Sequence, residues 1–146
     1  MIRLPKDFSE FLNLLNSKQI EYLLIGGWAV GYYGYPRATG DMHIWVSSKK
    51  ENAEKLVKAF KEFGFDVPDL SIDLFTKENQ VTRMGVPPLR IEVLTTISGV
   101  TFENCFANRK VAIVDYIKIN LISLEDLKKN KAAANRYRDL DDLEKL

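Results

Sequence analysis

Three side chains in two segments have the types and spacing to hold a cation. In "DMHIWV", Asp41 and His43 stand two residues apart; on a strand they project from one face about 6.6 Å apart and can lean toward a common point. Glu92, in "LRIEVLTT", joins them if its strand lies alongside. Upstream, Gly26 and Gly27 close the apolar run "EYLLI" and leave backbone amides open to close approach. Groups of this kind around glycine amides suit phosphoryl chemistry. A divalent ion held by carboxylates neutralises a triphosphate and activates an attacking oxygen, and the protein supplies positioning and charge compensation.

Each residue also has a plainer reading. Asp41 could cap the strand, Glu92 could join ion pairs with Arg90 and Arg83, and the glycines could serve only the turn. His43 removes a negative charge where a hard cation such as magnesium prefers oxygen, so it marks either an altered site or a defunct one. Manganese, zinc or another ion that tolerates imidazole would compensate, and a protonated His43 could instead contact phosphate. Arg37 and Thr39, in the loop before Asp41, could touch phosphate or brace the loop. In "KKNKAAANRYR" a run of cations forms either a solvated face or, through Lys131, a substrate contact. Trp28, Tyr32 and Tyr33 read as packing rather than a base-stacking platform.

The elements that must position these groups follow from periodicity. Phe8, Phe11, Leu12 and Leu15 predict a first helix opened by an Asp7/Glu10 capping box. Tyr22–Ile25 reads as a strand, "WAVGYYG" as a short helix, and Asp41–Val46 as a second strand with Asp41, His43 and Trp45 on one face. Ser48 with Glu51 predicts a cap for an amphipathic helix running to about Gly64. "DVPDLSIDLFTKEN" is a connection with room for one helical turn, and "QVTRMGV" and "LRIEVLTT" are strands. A loop with a short helix, a hairpin in "KVAIVDYIKINLI", a helix opened by Ser123 and Asp126, and a short acidic helix complete the chain. The expected class is α/β in the α+β sense, a mixed sheet flanked by helices.

The chain's 146 residues predict one domain over 1–146, and 46% apolar with 28% charged residues is an ordinary globular balance. With 21 basic and 20 acidic residues, net charge is +1 and indicates no chain-wide nucleic-acid footprint. The single cysteine, Cys105, forms no internal disulfide, and there is no apolar leader or run of membrane-spanning length, so a cytoplasmic location and no membrane partner are expected.

"LLIGGWAVGYYGYPRATGDMHIWV" resembles the opening of the DNA polymerase beta-type nucleotidyltransferase superfamily: an apolar strand, Gly-Gly or Gly-Ser, a spacer, and Asp-x-Asp or Asp-x-Glu on the next strand. The likeness extends to compact bacterial members carrying "GYPRxTxDxDxWV", "GVPPxRIDxLTSISGVxF" and "SLEDLxxNKxAAGRxKDLxDLExL". Here the matching segments are "GYPRATGDMHIWV", "GVPPLRIEVLTTISGVTF" and "SLEDLKKNKAAANRYRDLDDLEKL". His43 stands in place of the second Asp, Glu92 in place of the third, and Asn135 in place of Gly. The resemblance implies transfer of a nucleoside monophosphate from a nucleoside triphosphate with magnesium (Mg2+), or manganese (Mn2+) at this altered motif. It implies Asp41 and Glu92 as catalytic groups, Asp41, His43 and Glu92 as metal ligands, and Gly26, Gly27, Arg37, Thr39 and Lys131 on the nucleotide. Relatives include antitoxins that modify a partner toxin, so the acceptor could be such a protein. A non-catalytic nucleotide-binding or antitoxin-like module is the alternative.

Overall fold

A computed structural model describes residues 4–34, 40–66, 68–86 and 89–146. Among these residues six strands form one mixed sheet in the order β3-β4-β2-β1-β6-β5, confirming the expected class. Its centre is β1 (Tyr22–Ile25) and β2 (Asp41–Val46), paired antiparallel with Leu24 opposite Ile44 and Ile25 opposite His43. Every residue of β1 is buried, as an apolar strand covered on both faces requires. Two hairpins flank this pair. β3 (Val81–Val86) and β4 (Leu89–Leu94) attach to β2 through a parallel β4, while β5 (Lys110–Val114) and β6 (Ile117–Leu121) attach to β1 through a parallel β6. The Asp115-Tyr116 turn of the second hairpin has φ of 50° and 67°, the left-handed pair of a type I′ turn.

Helices cover both faces. On the face shared by Met42, Ile44 and Val46, α1 (Lys6–Ser17) and α3 (Lys50–Glu62) pack through Phe11, whose ring lies 5.2 Å from those of both Phe60 and Phe63. On the opposite face Trp45 meets Phe102 of α5 (Phe102–Ala107) edge-on at 5.3 Å. That is the face carrying Asp41 and His43. α2 (Gly26–Tyr33) follows β1 directly, and α4 (Asp73–Thr76) is the expected single turn. α6 (Leu124–Ala134) packs on both α2 and the last helix, α7 (Tyr137–Lys145). No described helix is long and apolar enough to cross a membrane.

Two expected caps do not form. α1 begins at Lys6 after Pro5 and has no side-chain cap; Asp7 lies inside its first turn, where the helix dipole favours an acid. α3 begins at Lys50, one residue after Lys49, also without a side-chain cap. Ser47, just past the strand end, is held there by a buried amide. Asn52 Nδ2 donates to the Ser47 carbonyl (3.0 Å) and the Glu21 carbonyl (3.0 Å), and its Oδ1 accepts from the Glu21 N–H at 2.7 Å. The Ser123 cap does form, its Oγ accepting from the Asp126 N–H at 3.1 Å.

Asn52 thus ties the start of β1 to the end of β2 from within α3. Because truncation takes this partner from the Glu21 N–H and the Ser47 carbonyl and leaves the Glu21 carbonyl only the Ser47 N–H, Asn52→Ala should lower the unfolding free energy by roughly 1 to 3 kcal/mol in urea denaturation; a loss within ~0.5 kcal/mol would contradict this role.

Candidate metal and nucleotide site

The site is assembled by strand register. β2 and β4 run parallel with Asp41 beside Arg90 and His43 beside Glu92. His43 Nε2 lies 3.5 Å from Glu92 Oε2. One ligand atom each from Asp41, His43 and Glu92 falls within 4.8 Å of the others, a cluster that could hold a metal ion. The Glu92 side chain is mostly covered, at 14% exposure, while Asp41 and His43 are about one-third exposed at 32% and 33%. The cluster is therefore partly covered and still reachable by solvent.

Both carboxylates also have arginine neighbours. Arg83 Nε is 3.3 Å from Glu92 Oε2, and Arg90 Nε is 3.6 Å from Asp41 Oδ1. The ion-pair reading of Glu92 is met by Arg83, whereas Arg90 turns to Asp41. For His43, burial pushes the imidazole pKa down; Glu92 and Asp41 oppose that shift, and Lys131 and Arg138 reinforce it. The net direction keeps His43 neutral at pH 7, with a lone pair available to a ligand.

Gly26 is the hinge between β1 and α2, and it is required twice. Its φ is +71°, in the left-handed region, and a Cβ there would lie 2.9 Å from His43 Nδ1 and 3.1 Å from His43 Cβ. The bare Gly26 backbone thus seats one edge of the imidazole while Nε2 faces Glu92. Gly27 lies in the first turn of α2, where the leading N–H groups have no intrahelical partner.

A cleft of about 620 Å³ opens at His43, lined also by Ile25, Gly26, Gly27, Lys131, Arg136 and Arg138. Lys131 reaches the cleft wall, but its ammonium is occupied: Nζ stands 3.2 Å from Asp139 Oδ1 and 3.2 Å from Asp142 Oδ2. These side chains are 8%, 1% and 1% exposed. Burial alone would raise the Asp139 carboxyl; hydrogen bonds and charges from Arg136 and Lys131 outweigh it and hold the group below its usual range. Arg136 Nε also binds Asp139 Oδ2 at 2.7 Å while its own side chain stays 75% exposed. Asn135, left-handed at φ 55°, makes the reversal between α6 and α7 that brings these groups together.

The two arginines facing the cleft are cations that reading the sequence as one solvated run passed over. Alternation of "NRYRD" around a left-handed Asn could have signalled a chain reversal with basic groups at its tip. Arg37 and Thr39 lie outside the described residues.

Neither a protein-family model nor a curated protein matches the sequence. Solved structures do. A nucleotidyltransferase candidate from Thermotoga maritima aligns with a TM-score of 0.62 at 14% identity, over 94% of this chain and 88% of that one. The chain has a nucleotidyltransferase-type fold. The lincomycin-bound lincosamide antibiotic adenylyltransferase LnuA aligns with a TM-score of 0.58 at 14% identity, over 98% of this chain and 96% of its own. At this identity the likeness establishes architecture, and chemistry must be argued from the side chains.

Removing the buried ammonium leaves two carboxylates without their shared cation, so Lys131→Met should cost about 3 to 5 kcal/mol of stability in denaturant unfolding. The double variant Lys131→Met with Asp142→Leu should recover part of that loss. A Lys131→Met protein as stable as the parent would contradict the buried ion cluster.

Proposed function

We propose that the chain is a nucleotidyltransferase that moves a nucleoside monophosphate from a nucleoside triphosphate to an acceptor hydroxyl, with a divalent cation held by Asp41, His43 and Glu92. The observation that carries this reading is the β2–β4 register, which gathers the three donors within 4.8 Å of one another, with His43 among them lining a cleft that Gly26 and Gly27 also line. The donor set fits a divalent ion: two carboxylates and an imidazole from adjacent strands, with solvent access for further ligands. Such an ion would neutralise phosphate charge and make the acceptor oxygen more acidic.

The chain's own groups do the rest. Amides at Gly26 and Gly27 and the guanidinium groups of Arg136 and Arg138 hold the triphosphate, with Arg37 and Thr39 as further phosphate contacts. The acceptor oxygen attacks the α-phosphorus, the bond to the β-phosphate breaks, pyrophosphate leaves, and Glu92 takes the acceptor's proton. Lys131, through Asp139, holds Arg136 at the cleft. The acceptor is a hydroxyl on a small molecule or on a partner protein, a toxin among them.

A second reading has its own support. Arg83 and Arg90 already pair with Glu92 and Asp41, an arrangement that also suits a protein that binds nucleotide without turning it over.

Incubation with α-labelled ATP, CTP, GTP and UTP, in magnesium and then manganese, with a cell lysate as source of acceptors, tests the proposal. Labelled product should form and fall roughly 100-fold in Asp41→Ala. Labelling unaffected by Asp41→Ala would overturn the assignment of the site. Labelling absent from the parent but present in His43→Asp would establish the second reading.

A further inference from the structure

We propose that the Asp41–His43–Glu92 cluster takes a transition-metal dication of the manganese-to-zinc class in preference to magnesium, with His43 Nε2 as the discriminating ligand. The inference rests on the metal site of the proposed function and adds the class of ion.

Three observations carry it. First, the donor set contains an imidazole, which suits zinc and its neighbours, while magnesium demands hard oxygen ligands in near-ideal octahedral geometry. Second, the bite is right. Two donors each bonded at about 2.1 Å stand about 3.4 Å apart at a tetrahedral angle and about 3.0 Å apart at a right angle. His43 Nε2 and Glu92 Oε2 are 3.5 Å apart before any ion is bound. All three ligand atoms lie within 4.8 Å of one another, so a carboxylate would close by at most about 1.4 Å to reach the ~3.4 Å of a tetrahedral pair.

Third, the local charge does not favour a hard ion. Arg83 and Arg90 stand against the two carboxylates, one guanidinium to each, so the formal charges cancel. Binding then depends on the strength of the metal–ligand bonds rather than on a surplus of negative charge. The imidazole is also fixed in place, because Gly26 leaves room for its Nδ1 edge and holds Nε2 toward the carboxylates.

His43 is the chain's single histidine, and Cys105 is buried, which makes the test clean. Tag-free, full-length protein is titrated calorimetrically with zinc, manganese or magnesium chloride alone, without nucleotide. Zinc and manganese should bind one ion per chain about tenfold or more tightly than magnesium. His43→Asp should remove that preference. In the parent protein, the side-chain nitrogen resonances of the one histidine should shift with zinc and stay in place with magnesium, a readout that does not depend on any variant folding. Magnesium binding as tight as zinc, or zinc binding that leaves His43 unshifted, would overturn the proposal. The outcome is separable from nucleotide transfer. Zinc held at His43 in a protein that labels no acceptor sinks the activity and leaves the ion preference standing, and transfer without any ion preference does the reverse.

Discussion

The parallel pairing of β2 with β4 decides which side chains meet. With Asp41 opposite Arg90 and His43 opposite Glu92, the two strands present one imidazole and two carboxylates on a common face. Because side chains alternate along a strand, a slip of one residue would turn Glu92 toward the opposite face and break the cluster. The register is held by burial. Met42, Ile44, Ile91 and Val93 are nearly inaccessible, and none could be moved to the cleft face without exposing apolar surface. The polar face is therefore determined by the apolar one, and the central strands that build the core also build the site.

The second constraint is electrostatic. Two arginines accompany the cluster's carboxylates, and a buried lysine accompanies two further carboxylates where α7 docks on α6. Breaking a buried arrangement of that kind is costly, yet its net worth over an apolar replacement is small, so its value lies in geometry. It fixes the reversal at Asn135 and leaves Arg136 exposed beside the cleft while bound to Asp139. Ile25 and His43 from the central strands and Lys131, Arg136 and Arg138 from the region of the last two helices then line one cleft.

Much of this was legible in the residues. β1 and β2 ran as expected because their signals are local: "YLLI" is a short apolar run buried throughout, and "DMHIWV" opens with half-buried and buried residues in alternation. The Ser123 cap and the Asn135 terminus of α6 were equally local signals. The cap expected at Ser48 did not form where Asn52 binds the Ser47 carbonyl and α3 starts at Lys50, and the one expected at Asp7 did not form because α1 starts earlier, at Lys6 after Pro5. The partners of Lys131 were not legible. Asp139 and Asp142 reach it only after the chain reverses, and a lysine within a basic run carries no sign of burial. The pairing of Arg90 with Asp41 depended in the same way on a strand neighbour far along the sequence.

The central claim is that cluster and cleft form one site for a metal and a nucleoside triphosphate. It is tested most directly by calorimetric titration of the protein with a non-hydrolysable nucleoside triphosphate, with manganese and again with excess chelator. Binding should require the metal and should weaken about tenfold or more in Asp41→Asn. Nucleotide affinity that is the same with chelator and in Asp41→Asn, or the absence of binding under all these conditions, would contradict the account.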